Sequence, residues 1–322
     1  MNFYLAAILC FGLSLILTVA VMPLYIDLLK KKNISQEVSE YALEEYKQKA
    51  KTPIMGGLIF VVVPVIVYLT LNFRGFADKK ALMVIVSYLL FCLVGFLDDY
   101  LIIIRKNNNG LSPRVKLIME FIFTLAIYFI FRDVITNEIA IPFLNKSIKL
   151  GILFIPLMIL IYLSEANAVN FTDGMDGLCA GVSFIALIAF VIISYKNDEL
   201  NIALLILSIM GGLIGYLKYN HFPAKIFMGD SGSLALGALF ASVAIVLHKE
   251  IALFFIGGVF VFEMFCVCLQ LSSVKLFHKR VFRYTPIHYA FVLKGHKETR
   301  VVSMFYLLAF VVMLVGLFIG LH

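Results

Sequence analysis

"GILFIPLMILIYLSEANAVNFTDGMDGLCAGVSFIALIAFVII" occupies residues 151–193. Two apolar runs flank the polar stretch 166–178, where Asp173 and Asp176 lie three apart among glycines and Asn167 and Asn170 lead into them. Apolar runs of about 17–25 residues cross a bilayer as helices. The stretch therefore reads as one span, a short polar turn and a returning span. It also poses a chemical question: why two carboxylates stand between segments this apolar.

The pattern repeats along the chain. Of 322 residues, 62% are hydrophobic and 15% charged, against about 45–50% and about 25% in a soluble domain. Ten apolar runs stand out, at 3–26, 53–72, 80–98, 115–132, 147–164, 176–194, 200–219, 231–248, 250–275 and 300–321. Barrel strands would be shorter and alternating. The expected fold is all-α: a polytopic integral membrane protein of about ten transmembrane helices, forming a single transmembrane domain over 1–322. The first run is a span rather than a cleaved signal, because no basic region precedes it and its apolar stretch is too long.

Lys and Arg set the orientation. The connections at 27–52, 98–116, 164–177, 217–230 and 275–300 carry 19 of the 27 cations, and those on the other side carry 8. The richer set faces the cytoplasm, which puts both termini outside. The net charge of +7 then reads as an orientation signal and an attraction to anionic membrane lipids; no basic array suggests nucleic-acid binding. Cys10, Cys92, Cys179, Cys266 and Cys268 lie in or beside spans and read as small apolar packers. Gly177/Gly181 and Gly211/Gly215 have helix-packing spacing. The stretch 30–51 reads as a surface amphipathic helix or a loop.

The unusual polar groups all fall in the cation-rich connections: Asp98 and Asp99; Asn170, Asp173 and Asp176; Asn220, Lys225 and Asp230; His288. Five aspartates on one face repel one another unless a cation or cationic side chains stand between them. Oxygen-only ligands of this kind suit Mg²⁺ or Mn²⁺, and Mg²⁺ usually arrives with phosphates. Thr52–Pro53 reads as an N-cap with proline at the first helical position. "DGMDG" and "GDSGS" precede the sixth and eighth runs, so three helix N-termini offer backbone N–H groups to a phosphate.

Each signal has a plain alternative. Asp-Gly pairs make turns and caps, an acidic pair at a span end is commonly a solvated flank, and a lone histidine packs or faces solvent. Glu120 and Glu263 fall inside spans, where an acid is a functional candidate by default. Glu263 and Gln270 lie seven apart on one helix face, which suits a structural polar contact equally well. Co-location of the clusters carries the functional reading.

Four motifs add specificity: "TPIMGG" (52–57) with "GFLDDY" (95–100), "NAVNFTDGMDGL" (167–178), "PAKIFMGDSGSLALG" (223–237), and "TPIHYAF" with "KGHKETRVV" (285–302). With these the chain resembles the polyprenyl-phosphate N-acetylhexosamine-1-phosphate transferases, and most of all their bacterial phospho-N-acetylmuramoyl-pentapeptide branch. The resemblance implies Mg²⁺-dependent transfer from UDP-MurNAc-pentapeptide to undecaprenyl phosphate, with release of UMP and formation of lipid I for peptidoglycan synthesis. It implies a multi-pass protein of the bacterial cell membrane with its active site facing the cytoplasm, and a homodimer by analogy. By the same resemblance, Asp98 is the base at the lipid phosphate, Asp99 lies beside the metal, and Asp230 ligates it. Asn170, Asp173 and Asp176 line the nucleotide and catalytic site. Lys116 meets the phosphates, Asn220 and Phe227 the uracil, and Lys49 the uridine. His288 matches the first of three histidines.

The chain departs from that pattern. Tyr289 and Ala290 stand where two further histidines are expected, Val292 replaces a glutamate, His296 a tryptophan, Ile102 a lysine and Lys51 a glycine. The residues for phosphoryl chemistry are kept better than those for donor recognition. A sister transferase using another UDP-N-acetylhexosamine is therefore a second reading. A transporter or non-catalytic scaffold is a third, disfavoured because transporters place ionisable groups near the midplane.

Overall fold

The computed structural model describes residues 2–32, 34, 52–105, 110–144 and 146–322. It is a helical bundle: α1 Phe3–Lys31, α2 Gly57–Leu71, α3 Lys79–Arg105, α4 Pro113–Ile130, α5 Phe154–Thr172, α6 Leu178–Lys196, α7 Leu200–Asn220, α8 Asp230–Leu247, α9 Glu250–Ile256, α10 Gly258–Phe277, α11 Ile287–Val292 and α12 Glu298–Leu321. Among the described residues, eight helices are long and apolar enough to cross a membrane. The other two of the ten expected runs are helical too. One, α2, is apolar but 15 residues long; the other, α4, carries Arg114, Lys116 and Glu120.

Helix α8 is the axis of the bundle. Every residue from Ser231 to Leu247 is buried, and α8 packs on α2, α3, α5, α6 and α9. Lipid supplies no hydrophobic drive between helices, so small residues that let backbones approach do the packing. "DSGSLALGALFASVAIVL" is built that way. Gly211 and Gly215 of α7 lie against the α1 backbone at Phe11 and Leu15, and Gly181 of α6 lies against the Tyr306 ring of α12, as their spacing predicts. Helices α1 and α12 are largely unburied and form the outside. The five cysteines are unpaired and four are buried.

Four boundaries differ from expectation. Helix α3 runs on through Asp98 and Asp99 to Arg105, so the acidic pair sits on a helix and not in the following loop. The second span starts at Gly57, and Thr52–Pro53 is not its cap. Instead 53–57 pair along 227–228: Phe227 N donates to Pro53 O at 2.8 Å, Gly56 N to Phe227 O at 2.9 Å and Gly57 N to Met228 O at 2.9 Å. The fifth span starts at Phe154, because the charged segment Lys146–Lys149 (β2) pairs antiparallel with Glu138–Ile141 (β1). The ninth run breaks at Gly257 into α9 and α10, where two successive glycines leave the helix weakest.

Successive helices run up and down, so the odd connections gather at one end. Both chain ends lie at the other: Tyr4 Oη meets Tyr195 Oη at 2.9 Å at the end of α6, and the carbonyl of His322 accepts from Phe143 N at 3.4 Å.

Candidate active site

The site begins with a close crossing of α3 and α8. At Gly95 a Cβ would overlap the backbone of Asp230, so glycine there brings the start of α8 onto α3. One turn further along, the Asp99 carboxylate accepts from Asp230 N at 3.0 Å and Ser231 N at 3.1 Å. Asp99 is thus the cap of a helix to which it does not belong. Asp98 accepts from Leu111 N at 2.8 Å. Asp98, Asp99 and Asp230 each offer a carboxylate oxygen, all within 4.8 Å of one another.

Three carboxylates this close need positive charge or donors around them. Lys116, one turn into α4, pairs with Asp230 Oδ2. Asn170, on the last turn of α5, donates to Asp230 Oδ1 at 2.7 Å and to Ser233 Oγ at 2.9 Å. A turn deeper, Asn167 donates to buried Glu120 at 2.8 Å. One lysine and one amide do not balance three carboxylates. The set, oxygen-only and partly buried, fits a divalent cation.

The stretch 173–177 follows Asn170. Burial, then Asp230 and Asp176, push the Asp173 carboxyl from 3.8 up to about 8, against a hydrogen bond from the Gly229 backbone. Asp176 Oδ2 accepts from Ala224 N at 2.9 Å, and Asp176 N donates to Glu298 Oε1 at 2.8 Å. Asn220 receives Gly177 N at 3.1 Å and donates to Ile226 O at 2.9 Å. Behind the loop, Tyr289 Oη donates to Gly174 O at 2.8 Å. The His288 ring lies so close to Gly174 that a Cβ there would overlap its Nε2. His288 Nδ1 meets Glu263 Oε1 at 3.0 Å, and Glu263 also accepts from Ile287 N at 2.7 Å.

The fold therefore brings together Asp98, Asp99, Lys116, Asn170, Asp173 and Asp230. Asp176 and Asn220 stand beside that cluster and tie the 173–177 loop to the 220–226 segment. His288 is fully buried behind Gly174. Phe227 is half-buried, and its backbone holds Pro53 and Gly56. Lys49, like most of 30–51, lies outside the described residues.

The phosphate reading of the α8 N-terminus needs correction. Its first donors are taken: Asp230 N and Ser231 N by Asp99, Gly232 N and Ser233 N by Gly229 O. At the α6 N-terminus, Gly177 N goes to Asn220 and Leu178 N to Met175 O. Asp230 N and Ser231 N thus hold the Asp99 carboxylate, and the other N–H groups named here are taken by backbone or amide oxygens. Two residues gain roles that the sequence did not assign. Glu263 proves to be the anchor of the 287–288 segment, for which its place inside a span was the signal. Glu298, which holds Asp176, gave no signal at all.

The profile of glycosyl transferase family 4 matches residues 81–248. The chain is 37% identical over 316 residues to a phospho-N-acetylmuramoyl-pentapeptide-transferase of Staphylococcus epidermidis, covering 96% of this chain and 98% of that one. It is 39% identical over 325 residues to the protein of that name from Staphylococcus carnosus, covering 99% of each. With that from Clostridium botulinum it shares 36% over 294 residues, 91% of this chain and 90% of the other.

Proposed function

This chain belongs to glycosyl transferase family 4, alongside the phospho-N-acetylmuramoyl-pentapeptide-transferases, and we propose that it catalyses the reaction they are named for. Phospho-N-acetylmuramoyl-pentapeptide passes from its UDP donor to a polyprenyl phosphate, undecaprenyl phosphate in bacteria. UMP leaves, and the product is lipid I, the first membrane-bound intermediate of peptidoglycan. The protein resides in the bacterial cell membrane with the acidic cluster facing the cytoplasm, which the distribution of Lys and Arg supports.

The observation that carries the reading is the convergence of Asp98, Asp99 and Asp230 within 4.8 Å, with Lys116 and Asn170 on Asp230. Phosphoryl transfer asks a protein mainly for positioning and charge neutralisation. An oxygen of the lipid phosphate attacks the β-phosphorus of the donor, and the bond from that phosphorus to the oxygen of UMP breaks. Asp98, whose second oxygen is not used by Leu111, takes the proton of the attacking phosphate when it arrives protonated. Asp99 and Asp230 hold the cation, Mg²⁺ in this reading, which when bound lowers the repulsion between two phosphate-bearing substrates. Lys116 adds a fixed positive charge at the same phosphates, and Asn170 keeps Asp230 oriented. His288 and Asp173 shape the donor side, with Asp176, Asn220, Phe227 and Lys49 toward the nucleotide.

The test is UMP release by the purified protein with undecaprenyl phosphate, Mg²⁺ and a panel of UDP-sugars. Turnover of UDP-MurNAc-pentapeptide ahead of UDP-GlcNAc is expected. Preference for another UDP-N-acetylhexosamine would move the chain to a different surface polymer.

A further inference from the structure

A cavity of about 590 Å³ opens beside the acidic cluster, across the Asp176 wall. We propose that it seats the peptide part of the donor, with Lys297 receiving a peptide carboxylate; this rests on the donor reading given above. Its volume falls within the about 300–1,000 Å³ usual for small-molecule sites. It is lined by Thr52, Phe222, Pro223, His296, Lys297 and Thr299, together with Asp176 and Glu298, which meet at Asp176 N.

Three observations choose the occupant. The first is position. The phosphates belong at Asp98, Asp99, Asp230 and Lys116; of the described residues assigned to the nucleotide, Asn220 and Phe227 do not line this space and Asp176 alone does, as the wall it shares with the cluster side. What remains of the donor is its sugar and peptide, and a cavity this large exceeds the need of one sugar ring.

The second is chemistry. Phe222, Pro223 and Val292 give apolar area, while Thr52, His296, Lys297 and Thr299 give hydrogen-bond donors. Lys297 and Thr299 are exposed at the mouth, and Lys297 makes no ion pair with a described residue. The two carboxylates of the lining each already accept a backbone N–H, Asp176 from Ala224 and Glu298 from Asp176, so the apolar area, the donors and the Lys297 ammonium suit a short peptide that carries carboxylates. A polyprenyl tail would find the same lining too polar.

The third is rigidity. Asp176 is held by Ala224 N and Glu298, so the wall between cluster and cavity is fixed from both sides. A peptide bound there would set the distance of the sugar 1-phosphate from the cluster. Binding energy from a non-reacting part of a substrate is used in this way to orient the reacting part.

The experiment compares kcat/KM for UDP-MurNAc-pentapeptide and for peptide-free UDP-MurNAc, in full-length protein with undecaprenyl phosphate and Mg²⁺. The variants are Lys297→Glu, which reverses the charge at the mouth, and Thr299→Trp, which fills the cavity. Both alter exposed positions, and monodispersity with an unchanged Tm serves as the folding control. The ratio of the two specificity constants should fall about tenfold or more in each variant, the size of one lost charge-assisted contact. A ratio within about twofold of wild type in both variants overturns the proposal. So does an equal loss on both donors, which would place the nucleotide or sugar in the cavity. If wild type accepts neither donor, the donor reading falls and the peptide seat with it.

Discussion

The carboxylate of Asp99 closes the start of α8, accepting from the backbone N–H groups of Asp230 at 3.0 Å and Ser231 at 3.1 Å. One side chain from α3 thereby aims the first residue of α8, Asp230, toward Asp98 and Lys116. Structure and chemistry are joined at a single contact.

Removing it should cost stability as well as activity. An N-cap replaced by alanine costs about 0.5–2 kcal/mol, and here two backbone donors, one buried and one part-buried, lose their acceptor. Among the described residues, Asp98 accepts from one backbone N–H, that of Leu111. Asp99→Ala should therefore lower Tm in EDTA more than Asp98→Ala does. Equal Tm values would mean that the cap contributes nothing.

Metal dependence separates Asp230 from Asp98. EDTA should abolish UMP release. Asp230→Asn should keep the fold, since an amide oxygen can still accept from Asn170, yet lose Mn²⁺ binding measured by calorimetry. Asp98→Asn should retain metal and donor binding while turnover falls about 10²–10⁴-fold, the usual range for proton-transfer assistance. Full turnover in EDTA would remove the metal from the mechanism.

Asp173 provides a pH test. Its carboxyl is raised from 3.8 to about 8, first by burial and then by Asp230 and Asp176. The folded protein thus holds this proton more tightly than the unfolded chain. Its contribution is complete below the unfolded value and is lost as pH rises toward about 8. The amide of an Asp173→Asn variant does not ionise and carries no such dependence. In EDTA, the Tm of Asp173→Asn relative to wild type should rise between about pH 5 and about pH 8. A difference that stays flat with pH would refute the shift.

Tyr289 carries a narrower expectation. Its hydroxyl donates to Gly174 O at 2.8 Å, and a neutral hydrogen bond is worth about 1 kcal/mol, or about fivefold in rate. Tyr289→Phe should lower stability by about 1 kcal/mol, read as a small fall in Tm, and lower kcat/KM by no more than about fivefold. Gly174→Ala should be far worse, because its Cβ would overlap His288 Nε2; wild-type turnover in that variant would show that the histidine moves freely.

Glu263 should matter through its neighbours. It is fully buried and accepts from Ile287 N, His288 N and the His288 ring. Each buried donor left without a partner costs about 1–3 kcal/mol. Glu263→Ala should expose the 285–292 segment to hydrogen exchange, and Glu263→Gln less so. Unaltered exchange in Glu263→Ala would assign the anchor elsewhere.

The amino-acid sequence by itself determined the class of the molecule and which polar residues are candidates for its site. Apolar runs of membrane length sit where the helices form, and Asp98, Asp99, Asn170, Asp173, Lys116 and Asp230 stand out because polar residues in so apolar a chain need a reason. Those signals are local, read from composition and spacing along a few turns. Tertiary structure alone decided which groups meet. No spacing says that Asp99 caps a helix beginning 131 residues later, that Glu263 holds His288, or that the donors at the start of α8 are already taken. The same limit explains the misplaced start of the second span: Thr52–Pro53 has the local form of a cap, but pairing of 53–57 with the segment before α8 satisfies that backbone instead. Hydrogen bonds between distant segments depend on how helices pack, and packing follows from the fit of whole surfaces such as Gly95 against Asp230, which no stretch of one helix contains.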